Sequence, residues 1–105
     1  MYEVRRSDRA IESIREIQRY LSDFSTDGDI AKVLLGIRET VNSLAEMPTR
    51  HRRYLPPLRH APNIRCAPAG KYVVYFEVDE DARRVTVLDV QHRRRDPRTV
   101  RAGLS

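Results

Sequence analysis

Tyr72-Val73-Val74-Tyr75-Phe76, with Lys71 before it and Glu77-Val78 after it, is the stretch on which the fold turns. β-branched and aromatic residues at consecutive positions favour an extended chain packed on a pleated surface, and the run predicts a strand from Lys71 to Val78. Outward toward the C-terminus, Val85-Thr86-Val87-Leu88-Asp89-Val90 alternates well enough for a strand buried on one side and partly on the other, spanning Arg83 to Gln91. Asp79-Glu80-Asp81-Ala82 is the turn between the two, although it lacks the Asn-Gly or Asp-Gly pair that favours a tight hairpin. Outward toward the N-terminus, Asn63 to Ala67 reads as a third strand.

The first half of the chain has a different period. Tyr2 to Arg6 alternates bulky and charged residues and reads as a short edge strand. Ser7 follows as a helix cap, and Ala10, Ile14, Ile17, Leu21 and Phe24 recur at steps of three or four, with Ile11 widening the stripe. Ser25-Thr26-Asp27-Gly28-Asp29 supplies turn and capping residues, Thr26 and Asp29 resembling a capping box. A second stripe runs through Ile30, Val33, Leu34, Ile37, Val41, Leu44 and Met47 to Pro48, where a helix cannot continue. Two apolar-striped helices in a hairpin need another layer to cover them. The order strand, helix, helix and three strands therefore predicts an α+β fold: an N-terminal strand and helical hairpin packed on a small, mostly antiparallel β-sheet.

A chain of 105 residues has room for one hydrophobic core, so a single domain over residues 1–105 is expected. No apolar run approaches the roughly 20 residues that span a bilayer, and Met1-Tyr2-Glu3-Val4-Arg5 does not read as a secretory leader. A cytoplasmic protein without membrane contact is expected. Cys66 is the single cysteine, so no internal disulfide can form, and a small apolar strand residue is its simplest role. The formal net charge of +5 divides unevenly: residues 1–49 hold seven Lys/Arg against nine Asp/Glu, and residues 50–105 hold thirteen against six. Arg makes up most of these cations and forms bidentate contacts with carboxylate or phosphate, so an acidic protein or a nucleic acid fits as partner.

The sharpest local feature is His92-Arg93-Arg94-Arg95-Asp96-Pro97, directly after the last strand. Arg93 and Arg95 could hold phosphates, with His92 moving a proton. Equally, a charge run past a strand end is a solvated edge that blocks further pairing. A second basic stretch, Arg50, His51, Arg52, Arg53, Arg59, His60, Arg65 and Lys71, has Tyr54 as its only interleaved aromatic, fewer than a single-strand platform uses. Residues 48–62 hold four prolines, Pro48, Pro56, Pro57 and Pro62, with Tyr54, Leu55 and Leu58 as apolar anchors of an ordered loop. His51, His60 and His92 lack metal-ligand spacing, and no cofactor is implied.

Taken together, Tyr2-Glu3-Val4, Ser7 with Ala10, Leu44 with Pro48, Leu58-Arg59, Gly70-Lys71-Tyr72-Val73-Val74-Tyr75, Val87-Leu88-Asp89-Val90 and the His92 to Pro97 run resemble the RelE/ParE toxin superfamily over nearly the whole chain. The resemblance implies a toxin neutralised by a cognate acidic antitoxin in a hetero-oligomer. RelE-like members cut mRNA in the ribosome with Arg and Lys on the central strands and a C-terminal Tyr or His. Here Val73 follows Tyr72 where an Arg is common, and no tyrosine comes after Tyr75. Arg65, Arg93 and His92 are the residues that would carry cleavage. The ParE branch, which poisons DNA gyrase by protein contact, is the closer match. It would use His92, Arg93, Arg94, Arg95 and Asp96 against the target and Ile14, Ile37, Val41 and Tyr75 against the antitoxin. Removal of the chain from Arg93 onward is expected to end toxicity and leave the fold largely intact.

Overall fold

The strand-forming run becomes β3 (Tyr72–Asp79) in a computed structural model describing residues 1–105. Around it lie β1 (Glu3–Arg6), α1 (Asp8–Ser22), α2 (Asp27–Ser43), β2 (Ile64–Ala69), β4 (Arg84–His92) and α3 (Pro97–Leu104). The sheet order is β1-β4-β3-β2. β1 pairs parallel with β4, and the other pairs are antiparallel. The two-residue turn Gly70-Lys71 joins β2 to β3, with Gly70 at φ 63°, a left-handed conformation open to glycine at no steric cost.

One face of the sheet carries the helical hairpin. Val74, Phe76, Val85, Val87 and Val90 meet Ala10, Ile37, Val41 and Leu44 in the larger of two apolar clusters. Each fully buried side chain of this kind contributes roughly 1.5–3 kcal/mol relative to exposure. Ser7 caps α1 by accepting the Ala10 N–H at 3.1 Å, and its hydroxyl donates to the Leu88 carbonyl at 3.1 Å. This one side chain both starts the helix and ties it to β4. Thr26 caps α2 through the Asp29 N–H at 3.2 Å.

The second face is filled as well. Leu58, Ile64, Cys66, Tyr75 and Val100 form a smaller cluster, joined by half-buried Tyr54, Val73, Leu88 and Leu104. Asp96 caps α3 by accepting the Arg98 N–H at 2.9 Å, and Pro97 stands in the first turn, where its missing N–H costs nothing. Arg101 then donates to the Pro56 and Pro57 carbonyls at 2.8 and 3.2 Å, fastening α3 to the proline-rich loop.

Several expectations are corrected. β3 and β4 begin and end one residue later than the spacing predicts, β1 begins one residue later, and β2 begins at Ile64 and runs on to Ala69 because Pro68 is accommodated in an edge strand. α1 stops at Ser22, and Phe24 is 71% exposed because the chain turns before it can face the core. α2 stops at Ser43 instead of running to Pro48; Met47 is 69% exposed at φ 48°, and Pro48 opens a short 3-10 turn. Leu55 is exposed rather than an anchor, whereas Leu58 is buried. Above all, α3 is a packed element. Removing the chain from Arg93 would take Val100 and Leu104 out of the second cluster, a packing contribution that the expectation of an intact truncated fold leaves out.

Candidate functional site

The run His92 to Asp96 is a fixed turn, not a tail. The Arg93 N–H donates to the Lys71 carbonyl at 2.8 Å and the Arg95 N–H to the His92 carbonyl at 2.9 Å. His92 Nδ1 accepts the Arg94 N–H at 3.1 Å, and the ring lies edge-on to Tyr72 at 5.3 Å. Arg98 pairs with Asp96 at 3.2 Å and holds its carboxyl below the usual range. Arg93, Arg94 and Arg95 are exposed and form no ion pair, nor does exposed Lys71 across the turn. The corner thus presents four unneutralised cations on a backbone that is already ordered.

Arg65 stands elsewhere. It pairs in register with Phe76 on β3, four residues along from Tyr72, the partner of His92. At about 3.3 Å per residue and about 4.8 Å per strand, that is roughly 13 Å along the sheet and roughly 10 Å across it. Its guanidinium donates to the His51 carbonyl at 2.7 Å. Arg65 is therefore not brought together with Arg93 and His92. Val73, where a catalytic cation would stand in the nuclease pattern, packs in the cluster beneath α3. Burial, with help from Cys66 and Tyr54, pushes the neighbouring Tyr75 hydroxyl up to about 12. It stays protonated and apolar in character.

The other basic stretch splits between roles. Arg53 bridges to Arg65, the Tyr54 N–H donates to the Ile64 carbonyl at 2.8 Å and the Cys66 N–H to the Arg52 carbonyl at 3.0 Å, so this loop lines the outer edge of β2. His51 is half-buried, edge-on to Phe76 at 5.7 Å, with Nε2 buried and without a partner. Desolvation, with Arg50 and Arg65 nearby, pulls its pKa down. It belongs to the core boundary. No three His, Cys, Asp or Glu side chains converge as a metal site would require.

A groove of about 280 Å³ opens between α1 and α2. Ile11, Ile14, Leu34, Ile37 and Val41 give it an apolar lining, and Arg6, Arg15 and Arg38 rim it. Sequence spacing picked out Ile14, Ile37 and Val41, but Ile37 and Val41 are 2% and 1% exposed and form its floor. The accessible walls are Ile11 and Leu34, and the arginine rim was missed because the three residues sit on separate elements. Tyr75 is on the opposite face of the sheet, so it shares no surface with the other three. A second feature beyond sequence reading is Asp89. Fully buried, it accepts from the Ser13 hydroxyl at 2.5 Å, the Val90 N–H at 2.8 Å and Gln91 Nε2 at 3.2 Å, with Arg9 Nε at 3.5 Å. Those partners satisfy the buried carboxylate and lock α1 to β4.

This hairpin-on-sheet architecture is that of proteins from the RelE/ParE group of toxin-antitoxin systems. The fold recurs in the chromosomal ParDE system of P. aeruginosa (TM-score 0.70, 14% identity, covering 88% of this chain and 96% of that one). It recurs in the RelBE2 toxin-antitoxin complex of Mycobacterium tuberculosis (0.61, 23%, 88% and 91%) and in the isolated RelE toxin of E. coli (0.55, 16%, 97% and 95%). A comparison with curated protein sequences finds no match. The family model described as the ParE toxin of the type II toxin-antitoxin system parDE matches residues 4–97, and the chain belongs to that family.

Proposed function

We propose that this toxin acts by protein contact on DNA gyrase, and that an acidic antitoxin holds it in check by seating an amphipathic segment in the arginine-rimmed groove. One observation carries the first half. The sheet face on which Val73 and Tyr75 stand is filled by α3 and the proline-rich loop, with Val100 only 4% exposed, leaving that face packed instead of open to a substrate strand. Four cations without an ion pair, Lys71, Arg93, Arg94 and Arg95, stand side by side on an exposed, ordered turn, an arrangement that suits a docking surface. Family membership favours gyrase as the partner. The groove supports the second half. Its apolar lining suits a helix ridge, and Arg6, Arg15 and Arg38 suit carboxylates flanking that ridge. In this reading residues 1–105 work as one domain in the cytoplasm, in a hetero-oligomer until the antitoxin is lost.

The test is supercoiling of relaxed plasmid by purified gyrase at rising toxin concentration and at several salt concentrations. Inhibition that weakens as salt rises is expected, because exposed charge contacts are screened beyond about 8–10 Å near physiological ionic strength. Unimpaired supercoiling at saturating toxin, together with transcripts cut on translating ribosomes, would replace this reading with an RNase, and Arg93→Ala should then slow the cut.

A further inference from the structure

α1 climbs beside β4 toward one end of the sheet. Ser7 meets the Leu88 carbonyl near its start and Ser13 meets Asp89 in its middle, so α1 runs alongside β4 in the direction of His92, and Tyr20, roughly 20 Å beyond Ser7 at 1.5 Å per residue, stands toward the Tyr72–His92 end of the sheet. Tyr72 in turn packs on His92. The last turn of α1 thus emerges at the same end of the molecule as the Lys71 and Arg93–Arg95 corner. There Tyr20 is 65% and Phe24 71% exposed, their ring centroids 4.9 Å apart. Two large rings in water, in contact with each other and with nothing that covers them, are the residue type that anchors protein interfaces.

We propose that Tyr20 and Phe24 are the apolar anchor of the target-docking surface, with Lys71, Arg93, Arg94 and Arg95 as its cationic rim, and that the occupant is a protein surface bearing an apolar pocket bordered by carboxylates. This deepens the gyrase reading and rests on it. Charge distribution selects a protein over a nucleic acid. Asp23, Asp27 and Asp29 surround the aromatic pair in sequence and are exposed, so a continuous phosphate backbone would be repelled at the tip that stacking requires. A folded protein can set carboxylates opposite the arginines alone. The antitoxin groove lies at the other end of the hairpin, between the start of α1 and the second half of α2. From Arg15, the last α1 residue of the groove, to Tyr20 is five helical residues, roughly 7.5 Å at 1.5 Å each, and neither Tyr20 nor Phe24 lines the groove, so the two surfaces are separable by mutation.

The experiment compares the full chain with Tyr20→Ser/Phe24→Ser in the gyrase supercoiling assay, alongside sedimentation and a mobility shift on plain duplex DNA. Both side chains are exposed, so the variant should melt like the parent; a circular dichroism melt checks this. Half-inhibition should need at least about tenfold more of the variant, the loss of one anchor pair. Equal inhibition by parent and variant would overturn the anchor and leave the gyrase reading standing. No inhibition by the parent would overturn that reading and this inference with it. Parent dimers that the variant loses, with inhibition unchanged, would assign the patch to a second copy. DNA binding by the parent that the variant loses would assign it to nucleic acid.

Discussion

At His51 the unpartnered Nε2 and the depressed pKa have a consequence for stability. The fold favours the neutral ring, whereas the unfolded chain takes up a proton at the ordinary value near 6.5. The contribution is therefore fully present above about pH 6.5 and is lost as pH falls through that value toward the lower folded-state pKa. Urea midpoints between pH 7.5 and 5 should fall for the parent, and His51→Gln should flatten that component; equal slopes would assign the acid sensitivity elsewhere. Met47 offers the opposite case. An exposed non-glycine residue at φ 48° is strained by about 1 kcal/mol or more, and no packing is lost by removing it. Met47→Gly should stabilise the protein by roughly 0.5–1 kcal/mol in chemical denaturation, after the greater chain entropy of glycine is discounted.

Among the elements, α3 matters most for what it seals. Cys66 is buried in the cluster that Val100 closes, and burial pushes its thiol up, so it should resist a thiol reagent in the intact chain. Deleting residues 97–105 should expose it to rapid labelling and lower stability by roughly 3 kcal/mol, from Val100 and Leu104 together. Continued protection of Cys66 would show that α3 is dispensable to the core. This element was hidden in the sequence for a physical reason: its eight residues carry Val100 and Leu104 as their only large apolar groups, too few to display a period among the arginines. The hairpin was legible because two long stripes repeat at helical spacing and Ser7 and Thr26 cap as their side chains suggest. The β3 and β4 strands were legible from consecutive β-formers. Met47 and Phe24 kept the stripe spacing after their helices had ended, and spacing carries no mark of where the chain turns. The role of Asp89 was not legible because its partner Ser13 is 76 residues away. The arginine corner was visible as a run, but its rigidity comes from Lys71 across the sheet.

Over the whole molecule, 42 × 31 × 21 Å, the two proposed partner surfaces draw on different residues. The groove rimmed by Arg6, Arg15 and Arg38 lies toward the start of α1, and Tyr20 and Phe24 lie at the connection between α1 and α2, where the proposed target-docking surface stands. On the proposed function, such a layout lets the antitoxin and the target use different contacts, and toxicity rests on charge that is presented instead of on groups that react. Arg93→Gln/Arg94→Gln/Arg95→Gln is the most direct probe, since these side chains are exposed and unpaired and their replacement leaves the turn's backbone hydrogen bonds available. Inhibition of gyrase supercoiling by this folded triple variant should fall at least about tenfold and lose most of its salt dependence. Inhibition equal to that of the parent at every salt concentration would contradict the account.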